Sequence, residues 1–261
     1  VSLMNVRCMT FNLRHANEND PSPWSRRKDA IVDVIQAREP SLLGTQEMLP
    51  EMLKELTSAL PDYEAIGAFR RDKDEANTLF VHRDHWQVDN HHTFWLSTTP
   101  EDPGSFDWGS IPRICTYAEL TSKQHSDVRI RVMNTHLDHE SPYARHQGAL
   151  IIRQYFDELQ QKEAMPTLLM GDMNEGLKGQ AINVFQSLST ANGTFKSVFD
   201  QAITLEETFH HFGEFKEGDP IDFIFYSREW TWEKTEIVRD RPNGIYPSDH
   251  DPVLADFRLG E

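Results

Sequence analysis

A chain of 261 residues, 38% hydrophobic and 26% charged, can bury a sizeable core and is an ordinary length for one α/β domain, expected to span residues 1–261. Its 42 acidic and 26 basic residues give a formal charge of −16, which argues against a tight, sequence-blind binder of duplex DNA. No secretory apolar region and no membrane-length apolar run occurs, so no membrane partner is expected and the residues read as those of a cytoplasmic monomer.

Val6 to Phe11 reads as the first strand. Trp24 to Arg38 follows as a helix, with Ile31, Val34 and Ile35 at the spacing of one buried face, and Pro40 ends it. A strand over Ser41–Gln46 leads to a helix over Pro50–Leu60. Tyr63–Ala68, Thr78–His82, Trp86–Trp95, Ile114–Leu120 and Val128–Thr135 then read as a run of strands, half of a sandwich. Between them, Ser97 to Pro112 carries three prolines and two glycines and reads as a long ordered or semi-ordered loop, not a linker. The second half repeats the plan: a long helix over Pro142–Lys162, a strand over Thr167–Met170, a helix near Gln180–Leu188, and strands at Ile221–Tyr226, Thr231–Val238 and Val253–Phe257. Strand-rich segments with helices in both halves suggest two packed sheets with helices outside them. Cys8 and Cys115 lie in apolar strand-like runs and read as buried thiols, not as a disulfide framework.

Polar clusters punctuate the strand ends. In chain order they are Thr10-Phe11-Asn12, Gln46-Glu47, Asn134 to His139, Gly171-Asp172-Met173-Asn174, Ile221-Asp222-Phe223-Ile224 and Ser248-Asp249-His250. An acidic residue beside a histidine, and an Asp two residues from an Asn, suit hard-cation binding and proton movement. Ligand sites of open α/β sheets collect at such strand ends. In this order the motifs resemble the endonuclease/exonuclease/phosphatase superfamily across nearly the whole chain. Phe94 to Pro100 and Pro112-Arg113-Ile114 look like its bacterial branch, whose substrates are mostly unassigned.

The resemblance implies a four-layer α/β/β/α sandwich with two mixed sheets flanked by helices. It also implies a phosphoesterase dependent on Mg²⁺ or Mn²⁺. Hydrolysis of a phosphate ester needs a deprotonated water, in-line geometry and compensation for negative charge. Glu47, with Asn12 beside it and Asp249 nearby, is the expected metal set of hard oxygens. Asp172 is expected to orient and deprotonate the water, and Asn174 to hold the water or a phosphate oxygen; for either residue alone, an Asx-turn is the competing role. His136 and His250 are expected to donate hydrogen bonds to the transition state, with Asp222 holding the His250 ring. Glu75 matches a position that buttresses a catalytic histidine in related nucleases, against a plain solvated loop. Arg113 is placed to fork onto a substrate phosphate, against a simple salt bridge. His139, His210 and His211 carry no comparable argument, although His210 is a candidate to line the pocket.

The expected substrate is a small phosphorylated metabolite, a nucleotide or an RNA end, and a metal-dependent DNA nuclease is the alternative. A binding protein that kept the fold and lost its chemistry would have replaced Glu47, Asp172, Asn174 or His250; all four are present. No His-Glu-x-x-His occurs, which removes that class of zinc protease.

Overall fold

The computed structural model describes residues 3–260. The chain runs β1 (Met4–Asn12), α1 (Trp24–Arg38), β2 (Leu42–Gln46), α2 (Pro50–Ala59), β3 (Tyr63–Ile66), β4 (Leu79–His82), β5 (Trp86–Trp95), β6 (Ile114–Ser122) and β7 (Arg129–His136). It continues through α3 (Pro142–Lys162), β8 (Thr167–Asp172), α4 (Gln180–Ser187), β9 (Lys196–Ser197), β10 (Asp222–Tyr226), β11 (Thr231–Ile237) and β12 (Val253–Leu259). One sheet has the order β11-β12-β1-β2-β4-β3 and the other β5-β6-β7-β8-β10-β9. Both are mixed: β1 pairs parallel with β2 and antiparallel with β12, and β7 and β8 are parallel beside antiparallel neighbours.

Alternation along β1 shows how the layers form. Val6 and Cys8 turn toward the cluster between the sheets, whereas Met9 and Phe11 join Ile31, Val34 and Ile35 of α1 and Met52 and Leu56 of α2 on the outer face. Helix α3 places Ile152, Phe156 and Leu159, and α4 places Ile182 and Phe185, into the larger cluster shared with the second sheet. The four-layer sandwich implied by the motifs is the observed architecture.

The boundary between the sheets differs from the sequence reading. The first half of the chain does not build one sheet and the second half the other. β5 to β10 make the second sheet, and the C-terminal β11 and β12 return to complete the first beside β1. Periodicity reports which face a residue buries and carries no information on which strand it pairs with. The two-residue β9 and the single turn at Pro242–Gly244 have too few residues to show a period. The Ser97–Pro112 segment is an ordered loop, with the Asp107 carboxylate accepting from the Thr98 backbone at 2.7 Å and its hydroxyl at 2.8 Å.

Two glycines let the site close. At Gly44 a Cβ would lie 2.6 Å from Met170 Sδ of the facing sheet, and at Gly171, with φ +155°, it would lie 2.0 Å from the Thr135 carbonyl oxygen. Gly171→Ala is expected to destabilise the fold by about 2–3 kcal/mol through overpacking and backbone strain, and to displace the adjacent Asp172. Urea denaturation paired with a turnover assay checks both effects; a wild-type midpoint would mean the β7–β8 pair tolerates the extra carbon.

Candidate active site

Strand polarity brings six distant segments to one edge of the sandwich. β1, β2, β7 and β8 end there at Asn12, Gln46, His136 and Asp172, while β10 begins there with Asp222 and His250 just precedes β12. They surround a cavity of about 410 Å³. Glu47, Asp172, Asn174, His136, Asp249, His250, Glu75 and Arg113 line it; Asn12 and Asp222 stand directly behind the lining.

Asp172 is 1% exposed, and its Oδ2 accepts from Asn12 Nδ2 at 2.9 Å and lies 3.2 Å from His136 Nε2 and 3.7 Å from His250 Nε2. Burial alone raises a carboxyl pKa, but the two imidazoles and the Asn12 bond override it and hold Asp172 at about 2. His250 Nδ1 and Asp222 Oδ2 are 2.7 Å apart. Burial opposes the imidazolium, and the Asp222 and Asp172 carboxylates outweigh it, raising the His250 pKa well above its ordinary value. Asn174 is in the left-handed region, with φ 51°; its N–H donates to Asp172 Oδ1 at 3.0 Å and its Nδ2 to the Leu137 carbonyl at 2.8 Å. The Asx-turn is therefore present, and it holds Asn174 at the cavity wall. Arg145 of α3 binds Glu175 at 2.8 Å and the Asp138 carbonyl at 3.2 Å, joining the loops after β7 and β8.

The carboxylate floor suits a hard divalent cation. Glu47, Asp172 and Asp249 all line the cavity without a thiolate, the ligating atoms of His15, Glu47 and Glu75 lie within 4.8 Å of one another, and Glu47, half-buried in a left-handed backbone at φ 62°, is kept ionised by His15 against the cost of desolvation. Asn12 sits beside Glu47 and Asp172. Its Nδ2 donates to Glu47 Oε2 at 2.7 Å as well as to Asp172, while its Oδ1 accepts from the Arg14 N–H at 2.9 Å. In this arrangement Asn12 bridges the Glu47 and Asp172 carboxylates.

Glu75 departs from expectation. Its carboxylate lies 3.3 Å from Arg70 Nη2 and 3.8 Å from His15 Nδ1, and it pairs with neither His136 nor His250 among the described residues. The Arg70-Arg71 run is not simply solvated, because Arg70 turns inward and forks onto Asp74 at 2.8 and 2.9 Å. Arg113 is 7% exposed; Nη2 donates to His139 Nδ1 at 2.9 Å, Nε stands 3.9 Å from Asp138 Oδ1, and Nε and Nη1 have no hydrogen-bond partner. His210 points away from the cavity to Asp251 at 3.2 Å, and its neighbour His211 lines the wall instead. Arg14, His15, Asp20, Phe209 and Phe212 also line the cavity and were not singled out by sequence. The available signal for His15 was its position three residues beyond Asn12.

Residues 9–250 match the model of the endonuclease/exonuclease/phosphatase family. The chain belongs to this family. The structure superposes on an endonuclease/exonuclease/phosphatase family protein from Bacteroides thetaiotaomicron with a TM-score of 0.90, at 26% identity and full coverage of both chains. It matches the corresponding protein from Bacteroides vulgatus at TM-score 0.89 and 30% identity, covering 98% of this chain and 100% of that one. A mannosyl-6-phosphatase from Bacteroides thetaiotaomicron gives TM-score 0.89 at 28% identity, over 97% of this chain and 99% of its own. Endonuclease/exonuclease/phosphatase enzymes are generally divalent-metal dependent, and this chain is a phosphoester hydrolase.

Asp172→Asn should fold and lose at least ~10²-fold in kcat at matched metal occupancy, because the side-chain volume is kept and the charge removed. Undiminished turnover would reduce Asp172 to a turn residue. Asp222→Asn should lower kcat and move the alkaline limb of the pH profile to lower pH, since the carboxylate that raises the His250 pKa is gone. His250→Ala should remove most activity, and adding Asp222→Asn should cost little more. Fully multiplicative losses in that double-mutant cycle would separate the two residues.

Proposed function

We propose that the chain is a Mg²⁺- or Mn²⁺-dependent phosphomonoesterase acting on a small phosphorylated metabolite. The observation that carries this reading is the Arg113 guanidinium, enclosed in the cavity wall with two donors lacking partners. A buried guanidinium whose paired carboxylate, Asp138, stands 3.9 Å away is incompletely compensated, and an anion entering the cavity beside it would add to that compensation. The resemblance to the mannosyl-6-phosphatase makes sugar phosphates the first class to test. A net charge of −16 disfavours long polyanions while leaving a small anion the arginines and histidines of the cavity wall as partners.

Glu47 and Asp249 would hold the cation. When bound, it offsets charge on the phosphoryl oxygens and makes a water easier to deprotonate. Asp172, ionised at any working pH, accepts a hydrogen bond from that water and aligns it; its low pKa makes orientation the larger part of its work. Asn174 and His136, both in the cavity wall beside Asp172, donate to phosphoryl oxygens. His250, protonated against Asp222, donates toward the developing charge. Asn12 keeps Glu47 and Asp172 at fixed separation.

Phosphomonoesters, phosphodiesters and nucleic acids, assayed with Mg²⁺, with Mn²⁺ and with excess chelator, test the reading. Monoesters should turn over at least ~10-fold faster than diesters at equal concentration, a margin of ~1.4 kcal/mol in barrier height. Chelation should abolish the rate. Full activity in chelator would remove the metal, and nanomolar binding of a nicked or abasic duplex would turn the assignment toward nucleic acid.

A further inference from the structure

Residues 208–215 build a cavity wall that hydrolysis itself does not use. Phe209, His211 and Phe212 all line the cavity. His211 and Phe212 adopt φ of 50° and 54°, two consecutive left-handed residues, neither of them glycine. L-residues avoid that backbone, and it persists only where its surroundings over-determine it.

The surroundings do so from behind. The N–H groups of His210 and His211 donate to the Asp249 carbonyl at 2.9 and 3.3 Å, and Phe215 N–H donates to the His210 carbonyl at 2.9 Å. The buried His210 ring accepts from the Gly213 N–H at 3.1 Å through Nδ1, leaving Nε2 3.2 Å from Asp251. Gly213 is itself required, since a Cβ there would lie 2.3 Å from the Tyr246 hydroxyl. Phe212 is steadied by the Arg27 guanidinium 5.8 Å from its ring, and Arg27 is anchored to the Leu13 and Pro247 carbonyls at 2.7 and 2.9 Å. Phe212 is thus fixed in the wall of the cavity that holds Asp172 and His250, and Phe209 packs 5.0 Å from the His250 ring.

The same cavity carries two further carboxylates, Asp20 and Glu75, the second within 4.8 Å of Glu47. Asp20 is paired with Arg14 and Glu75 with Arg70, which leaves each with lone pairs for hydroxyl donors. A flat apolar platform beside acceptor-only groups suits a ring bearing several hydroxyls, and the carboxylates repel any further phosphate.

We infer that the His211–Phe212 turn is the subsite for the leaving alcohol, and that this alcohol is a pyranose resting a C–H face on Phe212 with hydroxyls toward Asp20 and Glu75. The inference rests on the phosphomonoesterase reading and adds the group that reading leaves undefined. The turn acts on selectivity among esters, because the phosphoryl group is bound elsewhere in the cavity.

The test compares kcat/KM for hexose 6-phosphates, nucleoside 5′-monophosphates and the ringless glycerol 3-phosphate, in wild type, Phe212→Leu and Phe212→Tyr, with Mg²⁺ present and melting curves recorded. Wild type should prefer a hexose phosphate. Phe212→Leu should lower the hexose-to-glycerol ratio by ~10-fold or more, chiefly through KM, the scale on which one apolar contact discriminates substrates. Phe212→Tyr keeps the ring and should restore the ratio to within ~3-fold. Equal losses on both esters in a folded Phe212→Leu protein, or a wild-type preference for nucleotides, would overturn the subsite. Turnover of glycerol 3-phosphate sustains the phosphomonoesterase reading whichever way the ratio moves, so the two ideas fail separately.

Discussion

One amide group joins the two sheets at the reactive edge. Asn12 ends a strand of the first sheet and donates to Glu47, just beyond its neighbouring strand, and to Asp172 at the end of a strand in the second. The separation of those carboxylates is therefore a property of how the sheets sit on one another. A second polar bridge lies just below, where Gln46 donates to Asn134 at 2.8 Å and Asn134 donates to the Thr45 carbonyl at 2.9 Å. Each such bond is worth only about 1 kcal/mol net, but a sheet shift would leave buried donors unmatched at about 1–3 kcal/mol apiece. The network thus penalises wrong alignments more than it rewards the right one.

The charge distribution follows from that edge. An acidic protein concentrates His15, His136, His250, Arg70 and Arg113 around one cavity, among carboxylates that also line it. Asp172 is held at about 2 and the His250 pKa is raised, each stabilising the ionised form of the other against the cost of burial.

The strained residues gather at the same edge. Arg14, Glu47 and Asn174 join His211 and Phe212 in the left-handed region, and these five, of eight such non-glycine positions among the described residues, line the cavity. At about 1–3 kcal/mol each for unfavourable backbone, such positions hold because neighbouring bonds fix them. The Asx bond from Asp172 fixes Asn174, and the Asp249 carbonyl fixes the turn at His211.

Periodicity in the sequence marked the helices and nearly every strand, since burying one face of an element requires apolar residues at 2.0 or 3.6 spacing wherever the element ends up. α3 begins and ends where its pattern does, from Pro142 to Lys162. The six polar motifs were equally legible, because each interrupts an apolar strand at its end. Partnership was not. That Asn12 bridges Glu47 and Asp172, that Glu75 meets Arg70 and His15, that His211 and not His210 faces the cavity, and that β11 and β12 return to the first sheet all depend on contacts between residues far apart in the chain. Local sequence determines which face a residue buries and which chemistry it carries. The direction in which its hydrogen bonds are spent is decided only when the two sheets pack, because the competing donors and acceptors come from the other sheet.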